Sequence, residues 1–178
     1  MIIMYYFTAD NHFGHENVIE FCNRPFKGLG HMHEEMIKRW NSVVKPEDTV
    51  FVLGDFMFRS IEPTFNYLCG LLNGEIILIR GNHDRNNGVK TPIDEMVITL
   101  FKKKILLVHN YYLYRDRFKD YDLVFCGHIH DKWKFYDDNV INVGVDVWGY
   151  YPVHIRQILK AYHKYKYWER NIFIPTYP

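Results

Sequence analysis

The sequence predicts a layered α/β sandwich, and three observations carry that prediction. Short apolar runs rich in β-branched residues alternate with segments of helical period through the first half of the chain, the signature of βαβ units and parallel strands. The second half has apolar runs separated by tight polar turns, the signature of hairpins. The composition suits one packed domain: 178 residues, 48% hydrophobic and 17% aromatic, with 24% charged residues that nearly cancel to a net charge of +1.

Each element follows in order. Ile2 to Phe7 is a buried-strand pattern that ends in Thr8-Ala9-Asp10, and Glu16 to Cys22 is a short helix. Met32, Met36, Ile37, Trp40 and Val43/Val44 recur at helical spacing, so His31 to Val44 is an amphipathic helix, ended by Lys45-Pro46-Glu47-Asp48. Thr49 to Leu53 is a strand that stops at Gly54-Asp55. Pro63 suits the first turn of a helix with Phe65, Leu68, Cys69 and Leu72 on one face, broken by Asn73-Gly74. Glu75 to Arg80 is a strand ending in Gly81-Asn82-His83-Asp84. Met96 to Phe101 and Ile105 to Val108 flank a charged turn at Lys102-Lys103-Lys104. Tyr121 to Cys126 is a strand ending in Gly127-His128-Ile129-His130. Trp133 to Tyr136 and Val140 to Val143 flank the hairpin turn Asp137-Asp138-Asn139, and Val153 to Tyr162 is a last helix.

Composition excludes several classes. A disordered chain would not carry so many aromatics at near-neutral charge. No apolar run approaches the ~18–20 residues of a membrane span. The apolar start, Met1 to Phe7, lacks a basic leader and a small-residue cleavage site, so it reads as a strand. Cys22, Cys69 and Cys126 are an odd, widely spaced set among apolar residues, which predicts buried free thiols and a cytoplasmic location. Only Ser42 and Ser60 are serines and neither lies in GxSxG, so a serine triad is not indicated; GxxxxGK[ST] and GxGxxG are also missing.

The chemistry gathers at strand ends: Asp10-Asn11-His12, Gly54-Asp55, Gly81-Asn82-His83-Asp84, His109-Asn110 and Gly127-His128-Ile129-His130. Open α/β sheets bind ligands beyond the carboxyl ends of their strands. In extended chain, residues i and i+2 share a side, so Asp10 can act with His12 and His128 with His130. Nitrogen and oxygen donors without thiolate suit Mn²⁺, Fe or Zn²⁺. Gly54, Gly81 and Gly127 allow close approach of the backbone to such a centre.

These blocks, D-x-H, G-D, G-N-H-D, a strand-end H and G-H-x-H, stand in order between Asp10 and His130, with Asn142-Val143-Gly144 after them. The series resembles the calcineurin-like metallophosphoesterase superfamily, in the wording of its small bacterial and phage members. The resemblance implies a four-layer α/β/β/α sandwich of two mixed sheets flanked by helices. It implies a single domain over residues 1–178 without a separate cap. It also implies two divalent ions, Mn²⁺ first, with Fe, Zn²⁺ or Ni²⁺ as alternatives. By the resemblance, Asp10, His12, Asp55 and His130 hold one ion, and Asp55, Asn82, His109 and His128 hold the other. A metal-bridging hydroxide would attack a phosphate ester, His83 would stabilise developing charge or protonate the leaving oxygen, and Asp84 would orient His83. The implied partner is a phosphate-ester substrate, with a phosphodiester, nucleotides among them, slightly favoured over a monoester. A non-catalytic scaffold on the same fold is the competing class.

Other residues keep two readings. His15 reaches substrate or caps the helix that follows it; Arg24 binds a phosphate bidentately or is structural. Arg80 and Arg85 read as structural, Asp146 as structural or as support for the site, and His31 and His33 as surface residues. The Lys160 to Trp168 tail interleaves bases with aromatics; a solvated basic face explains it, and nucleic-acid stacking is the alternative, to be judged by salt dependence. After Asp55, Phe56-Met57-Phe58 departs from family branches that carry a polar residue there; these side chains line a cleft or pack.

Overall fold

The computed structural model of the chain describes residues 3–58, 62–84 and 91–172. In chain order it has β1 (Tyr5–Thr8), α1 (Asn17–Phe21), α2 (Leu29–Val43), β2 (Thr49–Leu53), α3 (Glu62–Leu71) and β3 (Glu75–Ile79). There follow β4 (Glu95–Leu100), β5 (Lys103–Val108), a 3₁₀ segment (Tyr111–Asp120), β6 (Leu123–Cys126), β7 (Phe135–Tyr136) and β8 (Val140–Asn142). A short 3₁₀ turn (Val145–Val147), β9 (Val153–His154) and α4 (Ile155–Ile172) complete it.

The strands form two mixed sheets. In one, the order is β3-β2-β1-β9, with β1, β2 and β3 parallel and β9 antiparallel to β1. In the other, the order is β4-β5-β6-β8-β7, with β5, β6 and β8 parallel between antiparallel outer strands. Every residue of β2 is buried, because that strand is interior to its sheet and covered on both faces.

Period-2 alternation sorts side chains into layers. Val50, Val52 and Leu78 face outward and meet Met32, Met36 and Trp40, one stripe of α2 at helical spacing, with Leu68 of α3. Phe7, Phe51, Leu53 and Ile79 face inward and pack on Ile105, Leu107, Phe125 and Ile141 of the second sheet. Phe7 stacks on Phe51 at 5.3 Å and meets Phe125 edge-on at 5.0 Å. On the far face, Leu106, Val108, Val124 and Val140 are covered by Phe118, Tyr111 and Tyr114 of the 3₁₀ segment. The result is two mixed sheets packed face to face and flanked by helices.

Three elements differ from the sequence reading. The outer cover of the second sheet is the 3₁₀ segment Tyr111–Asp120, which has no amphipathic period to mark it. Its start is fixed locally, since Asn110 Oδ1 accepts the Tyr112 N–H at 3.0 Å. The β4–β5 turn is Phe101-Lys102, both at positive φ, and Lys103 and Lys104 lie in β5. The residues expected to begin the last helix, Val153 and His154, pair with Phe7 and Tyr6 as β9, and the helix runs on to Ile172. The Lys160 to Trp168 stretch is therefore helical, with Tyr167 and Trp168 exposed and Lys166 paired with Asp138.

The sheets meet at the carboxyl ends of their strands. Ala9 pairs with Gly144 across the gap, and the Val145 N–H donates to Ala9 O at 3.0 Å. That contact brings the loops after β1, β2, β3, β5, β6 and β8 to one edge.

Candidate metal centre

The backbone at this edge is unusual. Asp10, His12, Asp55, His128 and His130 all have positive φ, between 49° and 74°. For residues with a Cβ, each such conformation costs on the order of 1–3 kcal/mol and persists only where the surroundings impose it. Here they do. The Asp10 N–H donates to Gly54 O at 3.0 Å and the His12 N–H to Asp55 O at 2.9 Å, locking two loops together. The Asp10 carboxylate accepts the His128 N–H at 2.9 Å, which links the first sheet to the second. Asp55 Oδ1 accepts the His83 N–H at 2.9 Å. Glycine is required at two points. A Cβ on Gly54, at φ +85°, would lie 2.5 Å from His109 Nδ1, and one on Gly81 would lie 2.1 Å from Asp55 Oδ1.

The donors form two groups. Ligand atoms of Asp10, His12 and His130 lie within 4.8 Å of one another, and so do those of Asp55, His109 and His128. Asn82 Oδ1 joins the second group, 2.9 Å from both His109 Nε2 and His128 Nδ1. Asp55 Oδ2 stands between the groups, 3.7 Å from His12 Nε2 and 3.3 Å from His109 Nε2. The imidazoles are aimed from behind: His109 Nδ1 donates to Leu53 O at 2.8 Å, and His130 Nδ1 lies 3.0 Å from Asp146 Oδ2. Those contacts direct both Nε2 atoms toward the centre, as in metal-ligating histidines.

Burial sets the charges. It raises the Asp10 carboxyl to about 6 and lowers the His12 imidazole to about 3. Burial also opposes ionisation of Asp55, but the hydrogen bond and charge of His109 outweigh it and hold the carboxyl at about 2. Burial works against charged His109 and His130 as well. Asp55 nevertheless raises His109 to about 9, and Asp146 raises His130 to about 10. Carboxylates and imidazoles this close are groups from which a cation would displace protons on binding.

The residues fit a metal. His12 Nε2 is buried without a hydrogen-bond partner, a cost that a cation at that nitrogen removes. The donor set is carboxylate, imidazole and one amide oxygen, suited to borderline divalent ions.

The other singled-out residues fall as follows. Arg24 does not face a substrate: its side chain is 0% exposed. It pairs bidentately with Asp146 at 2.8 and 2.9 Å and donates to Asp10 O and Asn11 O. A buried guanidinium needs such partners, so the phosphate-binding expectation is corrected to a structural one. The Asp84 carboxylate accepts the N–H groups of Asp55, Phe56 and Gly81. It ties the ends of β2 and β3 through the main chain, and so positions the loop of His83 rather than its ring. His15 lies against the centre, its Nδ1 3.2 Å from His12 Nδ1. Phe58 stacks on His15 at 4.0 Å and stands 5.6 Å from His83, whereas Phe56 and Met57 are packed inside.

Asp146 is the residue the sequence reading undervalued, because its partners Arg24 and His130 are distant in sequence. Asn142 likewise clamps the His130 loop by donating to His130 O at 2.7 Å; the Asn142-Val143-Gly144 block was its signal. His31 and His33 are half-buried rather than surface residues, and accept the N–H groups of Lys27 and Gly14. The three cysteines are free, but only Cys126 is buried; Cys22 and Cys69 are half-buried. Arg80 is paired with Asp94, and Arg85 lies outside the described residues.

The calcineurin-like phosphoesterase superfamily domain matches residues 29–146. An uncharacterized protein of Methanocaldococcus jannaschii is 38% identical over 172 residues, covering 90% of this chain and 92% of that protein. The Gene 66 protein of Mycobacterium phage D29 is 39% identical over 83 residues, covering 45% of this chain and 40% of that protein. Among solved structures, a protein of unknown function from Aquifex aeolicus has a TM-score of 0.71 and 28% identity, covering 90% of this chain and 100% of that one.

Proposed function

The chain belongs to the calcineurin-like phosphoesterase superfamily, and on that premise we propose that it is a dinuclear metal-dependent phosphodiesterase. The observation that carries the reading is the buried, unpartnered His12 Nε2 set 3.7 Å from Asp55 Oδ2, with His109 Nε2 on the other side of the same oxygen. Asp10, His12, Asp55 and His130 would hold one cation and Asp55, Asn82, His109 and His128 the other. Two divalent cations, Mn²⁺ foremost, would polarise the phosphoryl oxygens and bring a water's pKa toward neutrality.

The chain supplies the rest. His83 is 40% exposed, and its Nε2 lies 3.9 Å from Asp55 Oδ2. From there it would reach the leaving oxygen of a bound ester, the place of a general acid. Asp84 fixes the loop that carries it. Asn82 is exposed and His128 half-buried, so an ester with two substituents can enter. We take residues 1–178 as a single domain without a cap. Free thiols at Cys22, Cys69 and Cys126 suit the cytoplasm; among the described residues no helix is long and apolar enough to cross a membrane.

The test is hydrolysis of bis(p-nitrophenyl) phosphate with Mn²⁺ and with chelator, alongside metal content by mass spectrometry. Two metal ions per chain and turnover abolished by chelator are expected. Chelator-resistant turnover, or none in folded protein carrying both ions, would overturn the proposal.

A further inference from the structure

The two ring nitrogens of His12 have different surroundings. Nε2 is buried without a partner, 3.7 Å from Asp55 Oδ2. Nδ1 lies 3.2 Å from His15 Nδ1, and among the described residues that is its one hydrogen-bond partner. A neutral imidazole is a donor at one ring nitrogen and an acceptor at the other. His12 can therefore offer a lone pair at Nε2 only when Nδ1 carries the proton and His15 Nδ1 accepts it. His109 and His130 are held through Nδ1 by Leu53 O and Asp146. His12 has His15 in that place.

His15 is held where this contact needs it. Its own N–H donates to His12 O at 3.0 Å, which closes a tight turn over Phe13 and Gly14. The turn requires Gly14: its φ is +85°, and a Cβ there would lie 2.8 Å from Phe58 O. The Gly14 N–H donates to His33 Nε2 at 2.8 Å. The Phe13 N–H donates to Phe56 O at 3.0 Å, and the Phe58 N–H to Phe13 O at 2.8 Å. Those two bonds fix the chain after Asp55 against the turn. They set the Phe58 ring on the His15 ring, with 4.0 Å between centroids and 20° between planes. Such a stack holds the His15 ring in one plane, with its Nδ1 in reach of His12.

We infer that His15 is a positioning residue: it accepts the Nδ1 proton of His12, with Phe58 holding its ring, and so keeps the His12 Nε2 lone pair available to the cation of the Asp10, His12 and His130 group. The inference rests on the metal reading and adds to it a residue outside both donor sets. It also gives the Phe56-Met57-Phe58 segment a use, since the ring of Phe58 serves the site through His15. A neutral imidazole is an uncharged acceptor, unlike the carboxylate of Asp146 behind His130. It fixes the tautomer of His12 without adding negative charge beside the centre.

The experiment reads the His12 tautomer by heteronuclear NMR of the imidazole nitrogens on the full chain freed of metal. Calorimetry then gives the affinity for Mn²⁺. Both are measured on the unaltered chain, His15→Phe and His15→Asn. Phenylalanine keeps a ring to stack on Phe58 but has no acceptor, whereas asparagine places an amide oxygen close to where His15 has Nδ1. The unaltered chain should carry the His12 proton on Nδ1 and none on Nε2. His15→Phe should lose that pattern and bind one of two Mn²⁺ ions about 10–100-fold more weakly, the scale of a partner behind a ligating histidine. His15→Asn should restore both. A proton on Nε2 in the unaltered chain, a tautomer and affinity unchanged in His15→Phe, or an asparagine variant that behaves as the phenylalanine one overturns the inference. The expected tautomer in a chain that binds no Mn²⁺ overturns the metal reading instead.

Discussion

The two halves of the candidate metal centre are built differently. In the half formed by Asp10, His12 and His130, all three residues have positive φ, and Asp10 and His12 are 0% and 1% exposed. Behind them stands a second buried layer, Arg24 and Asp146, tied to Asp10 O and to His130 Nδ1. In the half formed by Asn82, His109 and His128, only His128 has positive φ, and Asn82 is exposed. The contrast teaches a division of labour. The inner half is more deeply buried and is braced by that second layer, so it should hold metal more tightly. The outer half is less constrained and Asn82 is exposed, so it should exchange metal and meet substrate.

The sharpest break would come at the residue shared by both halves. Asp55→Asn should remove both ions and lower activity by at least about 10³-fold; full activity with two ions retained would refute the bridging role. His83→Ala, outside both donor sets, should leave two ions bound and lower kcat by roughly 10²–10⁴-fold, the scale of a general acid. Unchanged kinetics would leave His83 no part in proton transfer.

The next two changes separate the halves. Asp146→Asn leaves Arg24 buried without its counter-charge, so stability should fall by about 3–5 kcal/mol in urea unfolding. The inner ion should bind about 10–100-fold more weakly. Asn82→Ala should weaken only the outer ion, by about the same factor, with little loss of stability. If both variants lose the same ion, the two halves are not separate sites.

The smallest effect lies far from either half. Asp122 accepts the Lys104 N–H and pairs with Lys103, and these contacts hold its carboxyl below the usual range. Its contribution is therefore present above the ordinary carboxylate range near 4 and lost as pH falls through the lower folded value. Asp122→Asn should change stability slightly at neutral pH and not at all at pH 2. A change in metal content would show that the β4–β5 hairpin reaches the centre.

Much of this was legible in the chain. Thr49–Leu53 was found to the residue, because a buried interior strand is a continuous apolar run with turn residues at its ends. The candidate residues that gather at the sheet edge were legible for the same reason: each follows a strand, and strand ends are marked by local pattern. The 3₁₀ segment Tyr111–Asp120 was not, since it has neither period. Arg24 and Asp84 were visible as charged residues, but their partners were not.

By itself the sequence determined which donor types stand at the strand ends, in what order, and hence the family and the class of chemistry. Local periodicity and short-range turn chemistry suffice for that. Only the tertiary structure decided that Arg24 serves Asp146, 122 residues away, and that Asp84 braces main chain. It also decided that Phe58 stacks on His15 while Phe56 packs inside. These depend on the order in which strands pair and on how the two sheets meet at Ala9 and Gly144. Partners brought together across such distances leave no periodic trace in the residues between them.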